Sequence, residues 1–281
     1  MLAELTAAQW AVLAVAALTV GFAKTAISGA GAVTVVLFAW VLPARESTGV
    51  VLPVLIVGDL LAVSIYRRHA DWGMLWRLFP WVAVGTVLGA VFVAYADDEL
   101  MRIAIGVTLL VLSAGQLLRR SPAQGTTAES TTESTTGPTT GPTTDSTTAP
   151  IAQSATGPGT ATGRRVLAAG AGVLAGVATM VANAAGAVTS LYFLLSGLPI
   201  LRFLGTGAWF YLVVNLFKVP FSVGLGLLTW DALLLDLTLV PAVVAGAVTG
   251  VVVIKRIDQR RFEQVTLTLV VVAAVLLLVN P

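Results

Sequence analysis

Long apolar stretches separated by short polar ones follow each other along almost the whole sequence, and they leave few folds open. Of the 281 residues, 57% are hydrophobic and 11% are charged, whereas a soluble domain carries about 25% charged residues. The apolar stretches are continuous rather than alternating, which argues against a transmembrane β-barrel. We therefore predict an all-α polytopic membrane protein with lipid around most of the chain.

One polar segment interrupts the pattern. Residues 121–163 are rich in threonine, serine, glycine and proline, and they contain no lysine or arginine. Such a composition cannot bury enough apolar surface to offset the entropy of ordering. We predict a disordered linker here, which divides the chain into a first transmembrane repeat, residues 1–120, and a second, residues 164–281.

The two hydrophobic halves carry the same short motifs in the same order. The phrase AGAVT occurs at Ala30–Thr34 and again at Ala185–Thr189, an offset of 155 residues. Further matches pair Thr48-Gly49 with Thr206-Gly207, Trp72 with Trp230, and Gly85-x-x-x-Gly89 with Gly246-x-x-x-Gly250. Four ordered matches indicate an internal repeat, with short loop insertions that lengthen the offset.

Each half divides into about five hydrophobic segments. In order, they are 8–25, 29–43, 47–66, 73–95 and 100–118, then 165–182, 185–200, 203–227, 232–254 and 262–279. The second segment of each half is short for a hydrocarbon core about 30 Å thick. Because glycine and alanine separate it from the first, we predict short broken or re-entrant helices at these glycine-rich turns.

The distribution of basic residues predicts how the halves are oriented. With five segments per half, one side of the membrane receives only Arg45 and Arg102. The other side receives Arg67, Arg68, Arg77, Arg119, Arg120, Arg164, Arg165, Arg202, Lys255, Arg256, Arg260 and Arg261. Positive residues favour the cytoplasmic side. An odd number of segments makes the repeats inverted, with the linker in the cytoplasm and both termini outside.

Paired, interrupted segments in inverted repeats are typical of secondary transporters, whose substrate site lies near the membrane midplane. The two turns read GFAKTAISGAGAVT and GVATMVANAAGAVT. Broken helices expose N–H groups that favour an anion, so both turns are candidates for one anion site. Close helix packing is the alternative for the AGAVT turns, and it is the interpretation we prefer for the two GxxxG motifs.

Ionisable residues at membrane depth are candidates for function, and we expect three: Lys24, Asp59 and Lys218. Two lysines and one aspartate give a positive interior, which suits an anion. Either lysine has the alternative of reaching the membrane interface. Asp59 is expected to neutralise one lysine or to carry a proton.

Neutral donors complete the predicted site. Ser28 and Asn183 occupy matching positions before the AGAVT phrase, Asn215 shares a helix face with Lys218, and Thr48 and Thr206 match each other. Capping of the broken helices is the alternative role for these side chains. The predicted substrate-binding residues are Lys24, Ser28, Gly29, Gly31, Asn183, Gly186, Thr206, Asn215 and Lys218, with Asp59 as ion-pair partner or coupling residue.

Other functional classes find little support in the sequence. It has no cysteine and one histidine, His69, in the basic loop YRRHADW. It also lacks the HExxH, GxSxG and nucleotide-binding motifs. We predict no cofactor, no metal, no nucleic acid partner and no enzymatic activity, and the sequence leaves the oligomeric state open.

The order of these motifs resembles the TauE/SafE sulfite exporter family. The resemblance rests on the glycine-rich turn, YRRHADW, GxxxG, and FLGTGAWFYLVVNLFKVPFSVGLGLLTW in the second half. It implies a transporter of sulfite, sulfoacetate or other sulfur-containing or organic anions across the cytoplasmic membrane, often outward. Family members commonly have three or four consecutive glycines at the turns, whereas this chain has SGAGA and NAAGA.

Together these features predict a secondary transporter that exports a small anion, such as sulfite or an organosulfonate. A transporter of a different organic anion, such as a carboxylate, and an anion channel remain open as alternatives. An intramembrane enzyme is the least favoured. The membrane potential favours anion exit by about 2.3 kcal/mol per charge per 100 mV, so export needs no coupling ion, whereas uptake would need one.

Overall fold

A computed structural model describes residues 5–26, 31–118, 161–256 and 258. These residues form helices and no strand. The helices are α1 (Ala7–Thr25), α2 (Gly31–Val41), α3 (Ala44–Tyr66), α4 (Trp72–Tyr95), α5 (Asp98–Leu118), α6 (Ala161–Ala182), α7 (Ala185–Leu195), α8 (Ile200–Gly224) and α9 (Trp230–Ile254). A 3₁₀ turn, Arg67–His69, follows α3.

Nine of the predicted hydrophobic segments coincide with these helices, which confirms the all-α membrane fold. Within the described ranges, 5 helices are long and apolar enough to cross a membrane, namely α1, α3 with its 3₁₀ turn, α4, α8 and α9. The tenth predicted segment, 262–279, and most of the predicted linker lie outside the described residues. The boundary at 163 differs, because α6 begins at Ala161.

The second helix of each half is too short to cross alone. Helices α2 and α7 have 11 residues each, which gives a length of about 16 Å at 1.5 Å per residue. Each packs against the helix before it and the helix after it. The longer helices α3 and α8 begin immediately after Pro43 and Pro199, where a missing N–H costs nothing because the first N–H groups of a helix have no intrahelical partner.

Glycines hold the helices of the two halves together in a reciprocal arrangement. Helix α4 of the first half packs on α6 of the second, and α9 of the second half packs on α1 of the first. A Cβ at Gly85 would collide with the carbonyl oxygen of Val173, and one at Gly246 would collide with that of Leu18. The two GxxxG motifs therefore permit close helix packing, as small residues do in membranes.

The contacts also give the relative directions of these helices. Along α1, Leu18 meets Gly246 and Phe22 meets Gly250, so α1 and α9 run parallel. Along α4, Gly85 meets Val173 and Gly89 meets Met180, so α4 and α6 run parallel as well.

The central helices α3 and α8 pack against each other in the opposite sense. Gly49, near the start of α3, lies against the backbone of Leu227, just beyond the end of α8. Gly205, near the start of α8, lies against the backbone of Tyr66 and His69 at the end of α3. The two helices are therefore antiparallel, and each begins where the other ends.

Candidate functional site

The first group of buried polar side chains lies where the end of α1 meets α3 and α8. Lys24 Nζ is 2.7 Å from Asp59 Oδ1, and the side chains are 12% and 0% exposed. Asn215 donates from Nδ2 to the other carboxylate oxygen, Oδ2, at 2.6 Å. Lys24 Nζ also lies 4.4 Å from the centre of the Tyr211 ring, a cation–π distance. We call these four residues the first lysine cluster.

The local sequence makes this pair possible. Gly58 faces Lys24, and a Cβ there would come within 3.0 Å of Lys24 Cγ. The missing side chain lets the lysine stem lie along α3, so its ammonium reaches the carboxylate one residue further on. Lys24 therefore points toward Asp59 inside the protein.

The second group lies at the break between α6 and α7. Lys218 is 1% exposed. Its Nζ donates to the carbonyl oxygen of Thr179 at 2.7 Å and to Oδ1 of Asn183, with the Thr179 hydroxyl at 3.5 Å. We call Lys218, Thr179 and Asn183 the second lysine cluster. All of these acceptors are neutral, and no carboxylate of the described residues forms an ion pair with Lys218.

The backbone conformation at this break turns Asn183 toward the lysine. Asn183 has φ 49°, the left-handed region that asparagine tolerates better than most residues and that commonly ends helices. Its Nδ2 donates to the carbonyl oxygen of Thr48 at 3.1 Å. Because Oδ1 accepts from Lys218 while Nδ2 donates to α3, the amide links the break to both central helices.

The two clusters are neighbours along α8. Asn215 belongs to the first and Lys218 to the second, and they lie three residues apart on one face of this helix. The structure thus brings together Lys24, Asp59, Asn215, Asn183 and Lys218, five of the predicted site residues. Gly186 lies in the first turn of α7, next to the second cluster.

The other predicted residues are placed differently. Gly31 is the first residue of α2, whereas Ser28 and Gly29 lie outside the described residues. Thr206 accepts a hydrogen bond from the backbone N–H of Asp71 at 2.9 Å. It precedes Asn215 by nine residues, about 14 Å along the helix, so it holds the turn between α3 and α4 and lies away from both lysines.

Two residues of the described chain escaped the sequence analysis. Tyr211 stacks on Lys24 and shares a 2.6 Å hydrogen bond with Thr189 of α7, and no sequence signal distinguishes it from an ordinary buried aromatic. Asp236 of α9 is 4% exposed, and a signal did exist, since it is an acidic residue inside a hydrophobic segment. The expectation of three ionisable residues at membrane depth was therefore one short.

The chemistry available here is electrostatic. Lys24 and Asp59 form an ion pair, whereas a protonated Lys218 carries a positive charge that no carboxylate of the described residues pairs with. The same residues contain no group of three or more histidine, cysteine, aspartate or glutamate side chains that could hold a metal ion. Such an arrangement can attract and bind an anion.

Comparison with known proteins gives the family. The family described as Sulfite exporter TauE/SafE matches residues 13–277, nearly the whole chain. No curated protein and no solved structure matches the sequence. Membrane transporters make up this family, which agrees with the apolar helices and their broken partners. The chain belongs to the TauE/SafE sulfite exporter family.

Proposed function

We propose that this protein is a secondary transporter that exports a small anion, such as sulfite or an organosulfonate, across the cytoplasmic membrane. Lys218 carries the proposal, because its charge is buried and only neutral groups accept its hydrogen bonds. An uncompensated buried charge is costly. An anion bound beside Lys218 would remove that cost, and this differential stabilisation would provide much of the binding energy.

The proposed site combines Lys218 with the donors around it. Asn183 and the start of α7 at Gly186 lie on one side, and Asn215 lies one turn away on α8. Helix starts present unpaired N–H groups to a ligand. The starting residues of α2 near Gly31, with Ser28 and Gly29, are the corresponding elements that we propose for the first half.

The first lysine cluster has a different role in this proposal. Lys24 and Asp59 neutralise each other, so together they add little net charge. Asp59 Oδ2 also orients the amide of Asn215. We assign the pair to holding α1, α3 and α8 in register beside the anion site.

We further propose that the two halves are inverted copies, residues 1–120 and 164–281, joined by the disordered linker. The helix directions support this. If α1 and α3 run in one direction, then α4 runs back, and α6, which is parallel to α4, begins the second half in the opposite sense. Helix α8 is antiparallel to α3, and α9 is parallel to α1, so α6, α8 and α9 each reverse their counterparts in the first half.

The positive-inside rule then supplies the orientation. The turn that carries Arg67 and Arg68 and the end of α9 at Lys255 and Arg256 lie on the same side in this arrangement, which we assign to the cytoplasm. The linker shares that side, and the amino terminus lies outside. A membrane potential that is negative inside then favours outward movement of the anion.

The experiment is transport by the purified protein in liposomes, with Lys218→Met compared with Lys255→Met. Both changes remove one ammonium, but Lys255 is exposed at the end of α9. We expect the Lys218 variant to lose sulfite efflux and counterflow while the Lys255 variant keeps both. Equal activity of the two variants would overturn the assignment of the site.

A thermal-shift series identifies the substrate class. We expect sulfite or sulfoacetate to raise the unfolding temperature of the wild type more than sulfate, thiosulfate or carboxylates, and to do so through Lys218. If only carboxylates raised the unfolding temperature, the substrate would be a carboxylate and not a sulfur oxyanion. If the anion current did not saturate with concentration and no counterflow of sulfite were seen, the protein would be an anion channel and not a transporter.

A further inference from the structure

Helix α9 contains an acidic side chain that the anion site does not use. Asp236 is 4% exposed, and neither carboxylate oxygen has a hydrogen-bond partner among the described residues. It lies six residues into α9, about 9 Å from the first residue of the helix. Its neighbours on α9, Leu235 and Leu239, belong to an apolar core formed with α1 and α3.

No charged group on the neighbouring helices compensates Asp236. Helices α1 and α3 pack against α9, and their titratable residues are Lys24 on α1 and Arg45, Glu46, Asp59 and Tyr66 on α3. Lys24 and Asp59 pair with each other, and the Tyr66 hydroxyl donates to the carbonyl oxygen of Thr25. Arg45 and Glu46 lie in the first turn of α3, and neither is bonded to Asp236. On α9 itself, Asp231 is exposed in the first turn.

A carboxylate in such surroundings has two physical options. As an anion it would be buried without a donor or a counter-ion, which is strongly unfavourable. As a neutral acid it carries no charge, so burial without a partner costs far less than it does for the anion. The surroundings of Asp236 therefore select the protonated acid in the conformation described here, and a conformation that exposes it to water would release the proton.

We propose that Asp236 is a proton-binding site that couples proton movement to anion transport. In each cycle its carboxyl oxygen binds one proton from water on one side of the membrane. The O–H bond breaks again when the opposite conformation exposes the carboxyl group to water on the other side. The proton neither changes oxidation state nor transfers to the anion, so charge and atoms balance.

This inference rests on the proposed function, and of the two roles expected for Asp59 it leaves the ion pair to Asp59 and gives the proton to Asp236. Asp59 is bonded to an ammonium and an amide, so its charged form is already stabilised. Asp236 has neither. The position of Asp236 at the contact of α9 with α1 and α3 also suits coupling, because a relative movement of the two halves would change its exposure.

Two matched variants test the proposal: Asp236→Asn and Asp231→Asn. Both replace a carboxyl group by an amide on the same helix, but Asp231 is exposed. In liposomes containing a pH-sensitive dye, a sulfite gradient is expected to drive proton movement by the wild type and by Asp231→Asn. Asp236→Asn should give the signal of protein-free liposomes while still exchanging sulfite for sulfite. Proton movement by Asp236→Asn at the wild-type rate would overturn the proposal. Sulfite transport that is driven by a Na⁺ gradient instead of a proton gradient would overturn it as well.

A spectroscopic measurement separates this inference from the proposed function. The difference infrared spectrum of wild type and Asp236→Asn should contain the C=O stretching band of a protonated carboxyl group at neutral pH, whether or not sulfite is the substrate. The spectrum of the control variant Asp231→Asn should still contain that band. Absence of the band from the wild type would overturn proton binding at Asp236, even if sulfite were transported. If the band were present but no sulfite moved, the proposed substrate would fail while proton binding at Asp236 stood.

Asp236→Glu is the control for folding, because it keeps a carboxyl group at this position. Its infrared band and its unfolding temperature show whether the loss of proton movement in Asp236→Asn reflects misfolding.

Discussion

The two lysine clusters are neighbours along α8 but are built differently. In the first half, Lys24 on α1 pairs with Asp59 on α3. The second half carries its lysine on α8, and Thr179, at the position of Lys24 in the repeat, supplies its carbonyl oxygen as acceptor. One charge is neutralised, whereas the other keeps only neutral acceptors. The first arrangement favours a fixed packing, and the second favours a bound anion.

The largest difference between the clusters should appear in stability. Asp59→Asn leaves Lys24 without its counter-ion, and breaking a buried pair costs about 3–5 kcal/mol. Lys218→Met leaves only neutral acceptors unpaired, which costs about 1–3 kcal/mol. The unfolding temperature in detergent should therefore be lowered more by Asp59→Asn than by Lys218→Met. The reverse order would mean that Lys218 has a counter-ion.

The pH dependence of transport tests whether Asp59 of the first cluster acts as an ion-pair partner or as a proton carrier. Because Asp59 already accepts from Lys24 and Asn215, Asp59→Asn should lower the rate of transport without changing the shape of its pH profile. Asp231→Asn, at an exposed site, is the control for the substitution itself. A changed profile in Asp59→Asn would give Asp59 a proton-carrying role.

Asn183 allows the backbone of the second cluster to be separated from its side chain. Asn183→Gly keeps the left-handed conformation but removes the amide that accepts from Lys218 and donates to Thr48. Asn183→Ala loses the amide and also strains the backbone, which adds about 1 kcal/mol. We expect both variants to weaken sulfite binding equally in thermal-shift titrations, with Asn183→Ala unfolding at the lower temperature. If the two variants bound sulfite unequally, the backbone conformation at residue 183, and not the amide, would determine binding.

Tyr211 joins the first cluster to α7, and its contacts with Thr189 and Lys24 can be tested one at a time. Tyr211→Phe removes the hydrogen bond with Thr189 and keeps the ring over Lys24. The expected loss of unfolding free energy is about 0.5–1.5 kcal/mol. Tyr211→Leu should lose more, since the cation–π contact disappears as well. Equal values for the two variants would mean that the ring adds nothing.

The smallest effect is expected from the linker. Both clusters are formed by side chains of α1, α3, α6, α8 and the α6–α7 break, and none lies in the linker, so the connection needs only to span the two ends. Deletion of residues 126–160 should leave the rate of sulfite efflux and the unfolding temperature unchanged, measured beside the full chain. Loss of transport would show that the segment takes part in gating or recruits a partner.

Much of the fold could be predicted because it depends on local hydrophobicity. A backbone in lipid must satisfy its own hydrogen bonds, so the long apolar stretches within the described residues became helices, and the short stretches after the glycine-rich turns became α2 and α7. The glycines at 85 and 246 also predicted close packing, because the absence of a side chain has the same effect wherever two helices meet.

The candidate site could be predicted only in part, since charge partners depend on which helices meet. The sequence by itself identified Lys24, Asp59, Asn215 and Lys218 as polar residues at membrane depth. Only the tertiary structure decided that Asp59 pairs with Lys24 rather than Lys218, and that Thr206 holds a distant turn. It also decided that Asp236 is buried with no hydrogen-bond partner among the described residues. Hydrophobic periodicity is a property of neighbours in the chain, whereas the pairing of charges follows from the packing of helices far apart in sequence.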